Sequence, residues 1–190
     1  MALMNTNGNY ALDDTFLKAK FDEIIKKYSI NTVVETGIHE GRTTLELSYM
    51  VDKVIGVEIL QEAADVTRKR LDEHQRTNVD LFVGNSPDVL KEIVPTLDGD
   101  KCLFFLDAHW NNYWPINDEI SHLPKNKGVI VVHDFVVPNH PELGFDSYHG
   151  QPFTYEFIKE SLTEWSPNHR VEYNSQSNGS RRGVGFIYNE

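Results

Sequence analysis

The residues best equipped for chemistry fall at the ends of two apolar runs. In "CLFFLDAHWNNYW" (102–114) the apolar stretch meets Asp107 and His109, and in "GVIVVHD" (128–134) a similar stretch meets His133 and Asp134. Two buried carboxylates facing one another repel unless a proton or a cation lies between them. Asp107 and Asp134 are therefore a candidate metal-binding pair, with His133 as a third donor. An imidazole of ordinary pKa, ~6.5, exchanges protons near neutral pH, which makes His109 a candidate general base, with Asp107 as the other. A second group lies earlier, in "VVETGIHEGRTTLEL" (33–47) and "VIGVEI" (54–59). Gly37 permits a tight turn, and Gly41 lets backbone approach a ligand closely. Thr43 and Thr44 add hydroxyls beside the free N–H groups of a first helical turn. Glu58 stands twenty-three residues after Glu35, and a carboxylate so placed can accept hydrogen bonds from both hydroxyls of a ribose.

Such residues need a scaffold that brings strand ends together, and the chain alternates helix and strand almost throughout. Residues 13–28 place Phe16, Leu17, Phe21, Ile24, Ile25 and Tyr28 on one helical stripe, with Asp13 or Asp14 able to cap it. Strands are predicted over 31–35, 53–59, 78–84, 101–107 and 128–134, and helices over 41–51, 61–75, 86–94 and 115–122. The helix over 86–94 has Ser at its cap and Pro in its first turn. The runs over 101–107 and 128–134 are apolar at nearly every position, the mark of parallel strands buried on both faces. Residues 135–153 form an irregular stretch long enough to suggest an acceptor-binding loop. A helix over 152–165 and two strands joined by a Ser-Asn-Gly turn close the chain. The pattern predicts a single α/β domain over 1–190, doubly wound and mostly parallel, with a C-terminal antiparallel strand pair and a loosely packed segment over 1–12.

Composition narrows the partners. The 190 residues carry 18 Lys and Arg against 29 Asp and Glu, a formal net charge of -11. That balance repels a polyphosphate backbone, so no nucleic acid partner is expected, and a small neutral or cationic molecule is. No stretch approaches the ~18 consecutive apolar residues of a membrane span. The N-terminus has no basic segment followed by an apolar one, and the single cysteine, Cys102, cannot form an internal disulfide. Both agree with a cytoplasmic protein.

In open α/β sheets ligands bind beyond the carboxyl ends of the strands, where the strand order reverses. A dinucleotide loop has the form G-x-G-x-x-G, whose middle glycine clears room for pyrophosphate. Here His39 takes that position and the motif is E-x-G-x-x-x-G, which suits a ligand without pyrophosphate. Taken in order, "VVETGIHEGRTT", "VIGVEI", "VGNSPDVL" and "LFFLDAHW" resemble the successive motifs of class I S-adenosylmethionine (SAM)-dependent methyltransferases. The resemblance covers residues 15–190 and implies a Rossmann-like, seven-stranded sheet and a SAM cofactor. It implies that Glu35, Gly37, His39, Gly41 and Thr43 surround the methionine part. Glu58 would hold the ribose, Asn85 and Ser86 would lie beside adenine, and Asp107 would border the same site.

Within that family the pattern is nearest the metal-dependent O-methyltransferases of catechol, caffeoyl-CoA and antibiotic-sugar type, in which acids after strands four and five hold Mg²⁺ against the acceptor's hydroxyls. Asp107 matches the first position and His133-Asp134 the second. The histidine is a departure: nitrogen is a poor ligand for Mg²⁺ and a tolerable one for Mn²⁺, Fe²⁺ or Zn²⁺. Successive strand residues also point to opposite faces, so His133 and Asp134 can both ligate only if the strand has ended before them. The implied activity is transfer of a methyl group to a hydroxyl of a small molecule or sugar, with His109 taking the proton. Trp110, Tyr113 and Trp114 either wall the acceptor pocket, meeting the sulfonium by a cation–π contact, or cover the sheet edge. Arg181 and Arg182 are expected to decorate a hairpin, and the helix over 13–28 either covers the site or supports a homodimer. Two other readings stay open: a metal-dependent hydroxylase or hydrolase on this fold, and a nucleotide-binding oxidoreductase.

Overall fold

The computed structural model describes residues 10–109 and 113–189. A seven-stranded sheet is built from β1 (Thr32–Thr36), β2 (Lys53–Glu58), β3 (Val79–Val83), β4 (Cys102–Leu106), β5 (Val129–Val132), β8 (Arg170–Tyr173) and β9 (Gly185–Tyr188). Its order is β3-β2-β1-β4-β5-β9-β8. The first five strands pair in parallel, and β9 runs antiparallel to both of its neighbours. The strand order reverses between β1 and β4, where a ligand crevice is expected to open.

Alternation along the central strands divides the core into two layers. Val33, Leu103, Phe105, Val129 and Val131 face α1 (Thr15–Lys27) and α2 (Arg42–Met50). Val34, Phe104, Leu106, Ile130 and Val132 face α4 (Ser86–Ile93), α5 (Ile116–His122) and α6 (Tyr155–Trp165). The central strands are apolar on both faces because each face is covered by helices. α3 (Gln61–Glu73) adds Leu71 to the first layer.

The elements depart from the sequence reading in three places. Residues from Tyr10 onward are packed, with Ala11 and Leu12 buried, so the expected loose segment does not extend to residue 12. On α1 the stripe serves the chain's own core through Leu17, Phe21 and Ile24, while Phe16 is exposed. The stretch over 135–153 contains a short hairpin, β6 (Ser147–Tyr148) and β7 (Gln151–Pro152), and buries Phe135, Val137, Leu143 and Phe153. Among the described residues no helix is long and apolar enough to cross a membrane.

The two ends of the fold are tied together at one side chain. Buried Asp14 caps α1, accepting from the backbone N–H groups of Phe16 at 2.9 Å and Leu17 at 3.2 Å. Its other oxygen accepts from the Ser177 hydroxyl and the Asn178 N–H, in the connection between β8 and β9. Replacing Asp14 with Ala removes the cap and strands those donors. The expected loss of unfolding free energy in urea titration is about 2 kcal/mol or more, with Asp14→Asn losing less.

Candidate functional site

The carboxyl ends of β1, β2, β4 and β5 open into one cavity of about 510 Å³. That lies within the ~300–1,000 Å³ typical of small-molecule sites. Glu35, Gly37, His39, Thr43, Glu58, Asn85, Ser86, Asp107, His109, His133 and Asp134 all line it. Gly41 and Thr44 of the first loop and helix do not.

Two glycines shape the first loop. Gly37 has φ +74, and a Cβ there would come 2.6 Å from the carbonyl oxygen of Asp107 and 2.7 Å from the Cα of Ala108. The loop after β1 thus lies directly on the loop after β4, and only a residue without a side chain fits between them. Gly41, with φ +69, caps α2, and its missing Cβ makes room for the side chain of Thr67 on α3. Its glycine serves helix packing, where the sequence suggested approach to a ligand.

Glu58 is buried at the end of β2. Its Oε2 accepts from the His39 N–H at 2.8 Å and its Oε1 from the Leu60 N–H at 3.0 Å. Two backbone donors hold the carboxylate rigidly, and each oxygen keeps a lone pair for a further donor. Buried Glu35 accepts from the Thr44 hydroxyl at 2.7 Å, and burial pushes its carboxyl up to about 8. Asn85 donates to Asp88 at 3.1 Å, and Ser86 opens α4 with no side chain capping the first-turn N–H groups. A cavity-lining carboxylate with lone pairs to spare and a close backbone turn are what a ribosyl sulfonium ligand needs, so these residues fit SAM.

At the other end of the cavity, β5 stops at Val132, and Asp134 has a left-handed backbone with φ 60. The break lets His133 and Asp134 turn to the same side. His133 Nδ1 lies 3.0 Å from Asp107 Oδ1 and 3.3 Å from Asp134 Oδ1. Burial disfavours the imidazolium, but the carboxylates of Asp107 and then Asp134 outweigh it and raise His133 to about 9. For Asp134, burial is outweighed by His133 and Arg182, which hold its carboxyl below the usual range. Burial raises Asp107, against the pull of His133.

The loop over 135–153 brings further groups. The Tyr148 hydroxyl lies 3.1 Å from His109 Nδ1, and Asp146 Oδ2 lies 3.8 Å from His109 Nε2. Arg182 does not decorate a hairpin, as its place beside a turn suggested. Its guanidinium donates from Nε to Asp134 and from Nη2 to Asp146. Trp114 packs on Tyr148, Phe153 and Phe157 with ring centroids 4.4, 4.7 and 5.3 Å away, between the second core layer and the acidic cluster. Tyr113 lines the cavity and donates to Asp118 at 2.7 Å. Trp110 lies outside the described residues.

The sequence reading missed Asp146 and Arg182, which no strand-end pattern marks. It also missed Glu119, fully buried, whose carboxyl faces the hydroxyls of Thr36 and Ser86. Burial pushes the Glu119 carboxyl up to about 7. One acid facing the core from α5 gives no signal in a helix that also carries Asp118.

The donor set can be tested against a divalent ion. Asp107, His133 and Asp134 offer atoms within 4.8 Å of one another, as do His109, Asp134 and Asp146, so spacing alone admits one. The chemistry of the donors does not. Asp134, common to both sets, already receives the Arg182 guanidinium, a fixed cation that would face any ion placed there. The residues fit an ion poorly.

No family model matches the chain. A curated relative, protein-L-isoaspartate O-methyltransferase 1 of Polaromonas sp., is 32% identical over 74 residues, which is 39% of this chain. The matched part spans only 31% of that relative's length. Among solved structures, the O-methyltransferase of Bacillus cereus in complex with SAH aligns with a TM-score of 0.63 at 20% identity, over 90% of this chain and 78% of that one. TomG of Streptomyces achromogenes, an O-methyltransferase involved in tomaymycin synthesis and solved with SAM, aligns with a TM-score of 0.59 at 20% identity, over 89% and 77%. The chain has the α/β, Rossmann-like fold of these methyltransferases.

Glu35, Glu119 and His133 all have folded-state pKa values above their ordinary ones. The native state therefore binds more protons than the unfolded one, and stability must fall as pH rises. The glutamates contribute fully below about 4.5 and His133 below about 6.5, and the contributions are lost as pH climbs through about 7, 8 and 9. Urea midpoints of the ligand-free protein should decline from about pH 5.5 to about pH 9, and Glu35→Gln and Glu119→Gln should each flatten the decline. A flat or rising profile would contradict the assignment.

Proposed function

We propose that the protein is a SAM-dependent methyltransferase that methylates a hydroxyl oxygen of a small molecule. The observation that carries this reading is the single cavity running from the Glu58 carboxylate, past the Gly37 turn, to the Asp107–His133–Asp134 cluster. One end has the form of a nucleoside site and the other has groups that handle protons. Glu40, Glu58, Asp107 and Asp134 line the cavity with Arg42, His133 and Arg182, and the Glu58 carboxylate suits a ligand carrying hydroxyl donors and positive charge. The O-methyltransferases among the structural neighbours support oxygen as the acceptor atom, and TomG's part in tomaymycin synthesis supports a small acceptor.

When bound, SAM supplies an electrophilic methyl on a sulfonium. The chain's residues do the rest. Glu58, held by the His39 and Leu60 N–H groups, accepts from the ribose hydroxyls. Asn85 and Ser86 border the adenine end and Glu35 the methionine end. His109 would take the proton of an acceptor hydroxyl that receives this methyl. Asp146 Oδ2 faces the Nε2 side of that imidazole at 3.8 Å, leaving Nδ1 on the Tyr148 side. The Tyr148 hydroxyl, 3.1 Å from Nδ1, marks where an acceptor hydroxyl can approach or pass its proton.

Calorimetry with S-adenosylhomocysteine tests the cofactor half directly. Wild-type protein should bind it, and Glu58→Ala should weaken binding about 10- to 100-fold, since two hydrogen bonds to a charged group are lost. Unchanged affinity in that variant would remove Glu58 from the site. A stronger response to NAD than to the nucleoside would favour the oxidoreductase reading.

A further inference from the structure

We propose that Arg182 is the resident cation of the acceptor end, taking the place that a divalent ion holds in a metal-dependent site, so that this chain positions its acceptor without metal. The inference rests on the methyl-transfer reading and concerns the same cavity.

Three carboxylates converge here: Asp107 after β4, Asp134 after β5 and Asp146 from the loop over 135–153. Alone they would repel one another and attract a cation. The Arg182 guanidinium, half-buried at the cavity wall, donates from Nε to Asp134 and from Nη2 to Asp146. A planar fork spanning two carboxylates is a strong and directional arrangement that lysine cannot reproduce. Both groups of residues with metal-ligand spacing include Asp134, and one also includes Asp146. An ion in either group would sit against a fixed guanidinium, cation beside cation, in a partly buried place where screening is weak.

The backbone around Arg182 holds it there. The Gly144 N–H donates to the Arg181 carbonyl and the Gly183 N–H to the Gly144 carbonyl, each at 2.8 Å. The Asp146 N–H donates to the Asp134 carbonyl at 2.9 Å, and Asn174 Nδ2 to the Arg182 carbonyl at 3.0 Å. The segment before β9, Asn174 after β8 and the loop over 135–153 are thus stitched together around Arg182. It is a built-in part of the wall, with its charge already spent on the two acids.

A consequence for specificity follows. A metal gathers an acceptor through two neighbouring oxygens, whereas a site neutralised by arginine needs only one hydroxyl within reach of the base. The acceptor class is therefore a mono-hydroxyl compound as readily as a vicinal diol.

The test uses Mn²⁺ as the probe, with free ion followed by electron paramagnetic resonance in full-length protein saturated with S-adenosylhomocysteine. Wild type should show no saturable binding up to about 1 mM Mn²⁺. Arg182→Met removes the guanidinium from Asp134 and Asp146 and should gain Mn²⁺ affinity by about 10-fold or more, and a second change, Asp134→Asn, should abolish the gain. Arg182→Lys, which keeps one charge and reaches one acid, should fall between, and it covers the case in which the Met variant does not fold. Micromolar Mn²⁺ binding by wild type that is lost in Asp134→Asn would overturn the proposal. So would the absence of any gain in folded Arg182 variants. Failure of the methyl-transfer reading is separate: it would appear as no binding of S-adenosylhomocysteine to wild type.

Discussion

The parallel pairing of β4 between β1 and β5 is the constraint on which the site depends. Thr36 lies beside Leu106, and Leu106 beside Val132, so three strands stop at one level. The chain next emerges there as Gly37, Asp107 and His133. The register cannot slip by one residue, because both faces of these strands are buried and every apolar side chain would change layers. A packing requirement of the core thus sets the position of the polar rim.

That convergence has an electrostatic cost. Glu35, Glu119, Asp107, Asp134 and Asp146 meet within a partly desolvated region, where carboxylates destabilise one another. The chain offsets this in two ways. Glu35 and Glu119 are pushed by burial toward their neutral forms. Asp107, Asp134 and Asp146 are matched by His133 and Arg182. The first solution removes charge from the buried wall and leaves the Glu58 carboxylate, held by two backbone N–H groups, as the anionic group at the nucleoside end. The second makes the acceptor end a network of fixed hydrogen bonds.

The loop over 135–153 joins these halves. Asp134 begins it with a left-handed residue, Arg182 clamps it, and Trp114, Phe153 and Phe157 seal its outer side. It delivers Asp146 and Tyr148 to His109. His140 of the same loop pairs with Glu142 at 2.8 Å and does not line the cavity.

Periodicity and strand-end chemistry made the layered α/β fold, the rim position of Asp107 and Asp134, and the loop from Glu35 to Thr43 legible in the sequence, because each is a local consequence of apolar alternation and glycine placement. Local pattern misled at Gly41, whose space is filled by Thr67 from a helix twenty-six residues away. It was silent on Glu119, since one acid in a polar helix carries no sign of which way it faces. It could not reveal Arg182, whose partners lie 48 and 36 residues earlier in the chain. Sequence by itself determined which acids and bases reach the rim, since strand ends are set by neighbours along the chain. Only the tertiary structure decided how those charges are balanced, because the balance comes from groups that meet through space after the sheet has closed.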